Sequence, residues 1–136
     1  SIGANAFKDC AALKKVTYDA KSATAPATSA FAGCAALKTV VVGDNAEAIP
    51  DSLFAGVALT SLTLGDNVAV IGADAFRGAA MTSVAIGEKV TEIGADAFGD
   101  NDALATVAFN AIAAQNKSDC TLFPNAASLT IGAKVT

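Results

Sequence analysis

Ile71-Gly72-Ala73-Asp74-Ala75-Phe76 returns one period later as Ile93-Gly94-Ala95-Asp96-Ala97-Phe98, and Ile2-Gly3-Ala4-Asn5-Ala6-Phe7 is a third copy. Phenylalanine marks the period. Phe7, Phe31, Phe54, Phe76, Phe98 and Phe123 follow one another at nearly even intervals along the chain. Self-similarity at a period of roughly 20–50 residues is the signature of a stacked repeat, because one such unit cannot bury its own apolar face. The six copies span almost the whole chain of 136 residues, so the repeat is the architecture and not a local motif.

Working outward from the phenylalanine, each copy carries a strand signal of period two. The inward pairs are Val16 and Tyr18, Val40 and Val42, Leu62 and Leu64, Val84 and Ile86, Val107 and Phe109, Leu129 and Ile131. Three residues before each pair stands another apolar anchor: Leu13, Leu37, Leu59, Met81, Leu104 and the smaller Ala126. Gly43, Gly65, Gly87 and Gly132 follow the strand, where a turning chain gains from a free φ. Around the phenylalanine, Asn5, Ser29, Ser52, Asp74, Asp96 and Thr121 precede it by two residues and are N-cap types. Asp9, Gly33, Gly56, Gly78, Asp100 and Asn125 follow it by two and tolerate a left-handed backbone. A cap and a stop so close together predict a single helical turn. The expected unit is therefore a strand, a turn and a one-turn helix. Six of its strands would stack about 4.8 Å apart into one parallel sheet.

The composition agrees with one folded domain over residues 1–136: 53% of residues are hydrophobic and 16% charged. No apolar run reaches the roughly 20 residues a membrane-spanning helix needs, and membrane insertion is not expected. The net charge is −4 but unevenly placed, with residues 1–40 at 5 − 2 = +3 and the remainder at 4 − 11 = −7. Solvated faces explain these charges. No basic stripe with interleaved aromatics is present, so nucleic acid is not an expected partner.

Chemistry finds little to work with. Histidine is absent, which removes the usual base for a nucleophile and the commonest zinc ligand. No catalytic residues, metal or cofactor are expected. Cys10, Cys34 and Cys120 are too dispersed for a zinc set. Cys10 and Cys34 do hold equivalent positions in adjacent repeats. They are either bridged or two small buried hydrophobes, and the odd cysteine total favours the second reading. Gly99-Asp100-Asn101-Asp102 resembles part of a calcium loop but lacks its spaced oxygens and closing glutamate. Gly43-Asp44-Asn45 and Gly65-Asp66-Asn67 show Gly-Asp-Asn to be a recurring turn. What remains is the outward side of the strands. There Thr39, Ser61, Ser83, Thr106 and Ser128, with Thr63 between an inward pair, form rows of small hydroxyl-bearing side chains. These six are the candidate ligand-binding residues. The competing reading is that they only solubilise an open sheet face.

Written as L-x-x-V-x-I-G-x-x-V-x-x-I-G-x-x-A-F-x-x-C, the repeat resembles the BspA-like leucine-rich repeat of bacterial surface proteins. Cys10 and Cys34 fall where that pattern places its cysteine. The third copy departs from it, with Pro50 for glycine and Leu53 for alanine, and the sixth is interrupted by residues 110–119. The resemblance implies a leucine-rich-repeat solenoid, a right-handed coil with one parallel β-sheet and short helical turns on its outer side. It further implies an extracellular or cell-surface setting and a non-catalytic adhesion or protein-binding role toward a host or matrix protein. A structural spacer without a ligand is the alternative. The chain opens and closes in mid-pattern, so it is expected to be a section of a longer array. Its uncapped ends are expected to associate end to end.

Overall fold

Each repeat phenylalanine lies against the next. In the computed structural model the ring centroids are 5.0 Å apart for Phe7–Phe31, 5.1 Å for Phe31–Phe54, 5.7 Å for Phe54–Phe76, 5.5 Å for Phe76–Phe98 and 5.4 Å for Phe98–Phe123. The structure describes residues 2–21, 27–28, 30–111, 115–116, 123 and 126–132. Phe31, Phe54, Phe76 and Phe98 are buried. Phe7 is not: it is 44% exposed, because its ring has a neighbour on one side only. Phe123 is half-buried. Four of the six repeat rings are therefore buried.

The coils stack through short parallel strands. The element order is β1 (Lys15–Tyr18), β2 (Thr39–Val42), β3 (Ala48–Ile49), β4 (Ser61–Thr63), β5 (Val70–Ile71), β6 (Ser83–Ile86), β7 (Glu92–Ile93), β8 (Thr106–Phe109), β9 (Gln115–Asn116) and β10 (Ser128–Ile131). The principal strands pair in repeat register, Lys15 with Thr39 with Ser61 and Ser83 with Thr106 with Ser128. Their inward side chains meet the buried anchors Leu37, Leu59, Met81 and Leu104 in one core.

Two features depart from the single sheet expected. A second parallel ladder, β3-β5-β7-β9, runs along another side of the coil. It is built on the isoleucine before the phenylalanine turn, and Ile49, Ile71 and Ile93 are fully buried there. The principal ladder itself is divided into β1-β2-β4 and β6-β8-β10. Among the described residues no backbone hydrogen bond joins β4 to β6 between that of Ala80 N–H to the Leu59 carbonyl and that of Thr91 N–H to the Ala69 carbonyl. Leu62 and Leu64, beside this break, are only half-buried.

The phenylalanine segment is not a helical turn. Asn5, Ser52, Asp74 and Asp96 have φ of 58°, 55°, 53° and 49°, whereas an N-cap residue takes an extended backbone. They are corrected from caps to left-handed turn residues. The second left-handed site is as expected, with Asp9, Gly33, Gly56, Gly78 and Asp100 all at positive φ. Ser29, Thr121 and Asn125 lie outside the described residues. Phe7, Phe54, Phe76 and Phe98 are thus each bracketed by two left-handed residues. Three consecutive turns result, closed in the fourth copy by Ala75 N–H to Gly72, Arg77 N–H to Asp74 and Ala79 N–H to Phe76. A positive φ at the third residue of the first and last of these is the type II signature, and it selects Gly, Asn or Asp.

In three of the coils the alternate N–H groups of these turns point one way along the stack. Asn5, Phe7 and Asp9 donate to Thr28, Ala30 and Ala32. Ser52, Phe54 and Gly56 donate to Ala73, Ala75 and Arg77, and Asp74, Phe76 and Gly78 to Ala95, Ala97 and Gly99. The turn backbone is thereby satisfied without a helix.

Glycine after the strand serves a purpose other than φ. None of Gly43, Gly65, Gly87 and Gly132 has a positive φ. A Cβ on Gly65 would come within 2.4 Å of the Gly43 carbonyl oxygen, so this glycine permits close stacking of turns. The buried Asn101 takes the position held by Cys10 and Cys34 in earlier coils. Its side-chain amide donates to the carbonyls of Phe76, Phe98 and Gly99 at 2.9, 2.8 and 3.0 Å.

Replacing Phe76 by Ala removes one ring from the middle of the ladder and should destabilise the fold by about 3–5 kcal/mol in urea denaturation. Asp96→Ala should cost on the order of 1 kcal/mol through its left-handed backbone alone, while Asp96→Gly should not. Equal loss in both variants would instead place the contribution in the carboxylate.

Candidate functional site: the open face of the strands

Alternation along each strand sends Val40, Val42, Val84, Ile86 and Val107 into the core and leaves their neighbours outside. Register then aligns those neighbours across coils. Lys15, Thr39 and Ser61 form one rung set, Thr17, Val41 and Thr63 the next. Beyond the break, Ser83, Thr106 and Ser128 line up, with Ala85, Ala108 and Thr130 beside them. Ser61, Thr63, Ser83, Thr106 and Ser128 are exposed and Thr39 is half-exposed. All six candidate residues thus share one face, though not one uninterrupted row. The break falls between Ser61 and Ser83. No signal in the sequence foretells it, for Leu59–Gly65 and Met81–Gly87 match position by position.

In-register parallel strands repeat about every 4.8 Å, so the face offers hydroxyl donors and acceptors at the spacing of a β-ladder. Lys15 is the only charge within the rows, and no acid faces it there.

Several other polar groups join one coil to the next. Arg77 contacts Asp100 at 2.7 Å and Asp74 at 3.2 Å. These two carboxylates, Asp100 foremost, hold its guanidinium more firmly protonated than usual. Asp74 therefore reaches its own copy's arginine and not a backbone cap. Asp100, read as part of a calcium-loop fragment, accepts from Arg77, and neighbouring Asn101 is buried. The Tyr18 hydroxyl donates to the Ala48 carbonyl at 3.1 Å, and burial pushes its pKa up. That phenol links the two ladders as a neutral donor. Among the described residues no three His, Cys, Asp or Glu side chains gather as a metal would require.

Two of the hollows among the described residues lie beside the ladders. One of about 290 Å³ lies on the second ladder, lined by Pro50, Asp51, Gly72 and Glu92 among others. Its Asp51 carboxylate is taken up by the Ala73 N–H at 2.8 Å. The other, about 680 Å³, lies at the break and is lined by Leu64, Asp66, Gly87 and Lys89 among others. Lys89 contacts Asn67 across the adjoining coils. Neither hollow contains any of the six hydroxyl residues.

Cys34 is buried and Cys10 exposed, both as free thiols. The reading of two buried hydrophobes is corrected for Cys10, which sits in the coil covered on one side only. Cys120 lies outside the described residues.

A family model described as the BspA type leucine-rich repeat region matches residues 1–130 in six copies. Among solved structures, the chain is similar to a leucine-rich cell-surface protein of Faecalibacterium prausnitzii A2-165, with 28% identity and a TM-score of 0.57. The match covers 81% of this chain and 36% of that one, so this chain spans about a third of that neighbour's length. A search of the curated proteins found no match.

If the outward rows are free of structural duty, Ser83→Arg and Thr106→Arg should each change stability by no more than roughly 0.5 kcal/mol. Thermal unfolding of the single variants measures this, and a larger loss would mean that the rows pack within the molecule.

Proposed function

The chain belongs to the BspA-type leucine-rich repeat family, and from that premise we propose that it is a non-catalytic protein-binding or adhesion module displayed at a bacterial cell surface. The observation that carries the reading is the open strand face. Its exposed hydroxyl rows, at ladder spacing and almost without charge, suit an extended or sheet-like protein partner. Thr39, Ser61, Thr63, Ser83, Thr106 and Ser128 are the proposed contact residues. The similar surface protein of F. prausnitzii supports the location.

A second reading, a spacer within a larger surface protein, draws on one observation. The rows contain no Trp, Tyr or Arg, the residues that most often anchor a protein interface. Surface plasmon resonance of the purified chain against a panel of host and matrix proteins separates the two. Saturable binding that Thr106→Arg abolishes is expected of the binding module; uniform silence across the panel favours the spacer.

End-to-end association belongs to the same proposal. In this chain β1 and β10 are edge strands, and core-position residues Phe7, Leu129 and Ile131 are 44%, 55% and 60% exposed. Residues 1–40 carry +3 and the remainder −7, a complement for head-to-tail contact. Light scattering over a concentration series should show the mean mass rising, and Ile131→Lys should suppress the rise. A constant monomer mass would refute the association.

A further inference from the structure

We propose that Cys10 and Cys34 form an intrachain disulfide that fastens the first coil to the second. The interval between them along the chain is the one that also separates the stacked rings of Phe7 and Phe31 and the paired Lys15 and Thr39. They occupy one rung of the stack. Neighbouring strands of such a stack lie about 4.8 Å apart, within the roughly 4.4–6.8 Å between Cα atoms that a disulfide spans. The side chains converge as well. The Cys34 thiol donates to the Phe7 carbonyl at 3.1 Å, and the Cys10 backbone N–H donates to that same oxygen at 3.4 Å. The Cys34 sulfur also lies against the backbone and the thiol of Cys10. The equivalent position in the next three coils is Val57, Ala79 and Asn101, so this rung alone among them carries a thiol pair.

The first coil has most to gain. Residues 3–12 are exposed throughout, whereas Phe31, Cys34 and Leu37 of the second coil are buried. A bond from Cys10 to Cys34 ties the loosely covered coil to the core.

The oxidant required is a small soluble disulfide. The exposed Cys10, as thiolate, attacks one sulfur of that disulfide; a Cys10–S bond forms, the S–S bond breaks and one thiolate leaves. Cys34 then gives its proton to solvent and attacks the Cys10 sulfur. The protein disulfide closes, the second small thiolate departs, and two electrons have passed from the cysteines to the small disulfide. Burial, the largest influence on Cys34, pushes its pKa up, so closure should speed as pH rises.

The test treats the folded Cys120→Ser chain with oxidised glutathione and maps its peptides by mass spectrometry. The expected product has lost the mass of two hydrogen atoms, carries no glutathione, and yields a peptide linking Cys10 to Cys34. Cys34→Ser in the same background should stop at a glutathione adduct on Cys10. Urea titration of the oxidised chain should show the folding equilibrium shifted toward the native state by roughly two orders of magnitude, reversed by reductant. A lasting adduct on Cys10 with Cys34 still free would overturn the proposal, as would disulfide-linked dimers in place of the intrachain bond. The same mapping on the wild-type chain gives the pairing independently of any substitution.

Discussion

A coil of this chain has no interior of its own; its phenylalanine ring acquires one only when another ring lies on it. The rest of the structure follows from that dependence. Rings whose centroids are 5.0 Å to 5.7 Å apart require backbones at nearly strand spacing, and such backbones require residues whose side chains leave room. Gly65 is there because the Gly43 carbonyl already occupies the space a Cβ would take. The two left-handed sites at each ring meet the same demand. They turn the chain tightly enough that the N–H of Phe54 or Phe76 reaches the coil that follows instead of closing a helix. Stability is accordingly close to a sum of neighbour terms, and it is weakest wherever a coil has one neighbour.

Much of this was legible in the order of residues. The phenylalanine period located the ladder, and the period-two pairs located β1, β2, β4, β6, β8 and β10. The left-handed sites at Asp9, Gly33, Gly56, Gly78 and Asp100 were read from residue type alone. The partners at Asn5, Ser52, Asp74 and Asp96 were misread for a physical reason: Asn, Asp and Ser suit both an N-cap and a left-handed turn, and local sequence does not separate the two. The second ladder went unseen because two-residue strands at Val70–Ile71 and Glu92–Ile93 are too short for alternation to register. The interruption between β4 and β6 had no local cause to read. The six hydroxyl residues did fall on one face, since register in a stacked repeat is set by the repeat itself.

The chemistry of the surface follows from where charge is spent. Arg77, Asp74 and Asp100 are joined with one another, Asp51 with the Ala73 amide, and Asp44 with the Asp66 amide one coil on. Polar groups of this kind hold one coil to the next around the rim of the stack. The strand face is left with hydroxyls, methyls and the single charge of Lys15.

The uniform direction of the phenylalanine-turn hydrogen bonds has an electrical consequence for that side of the coil. Nine N–H groups, three from each of three coils, point toward the C-terminal end of the stack, and the carbonyls they meet point back. Elsewhere the sense is the reverse, as where Gly72 and Gly94 donate to the carbonyls of Ile49 and Ile71 in the preceding coil. Along the turn side, peptide dipoles aligned in this way add, as they do in an α-helix, but with the opposite sense relative to chain direction. The negative pole of this edge lies at the first coil and the positive pole toward the last. Asp96 and Asp100 stand near the positive pole and Lys8 near the negative one, with Asp9 the single acid on the unfavourable side. Asp96 and Asp100 thus complement the backbone field at one end of the turn edge, while Lys8 and Asp9 offset each other at the other.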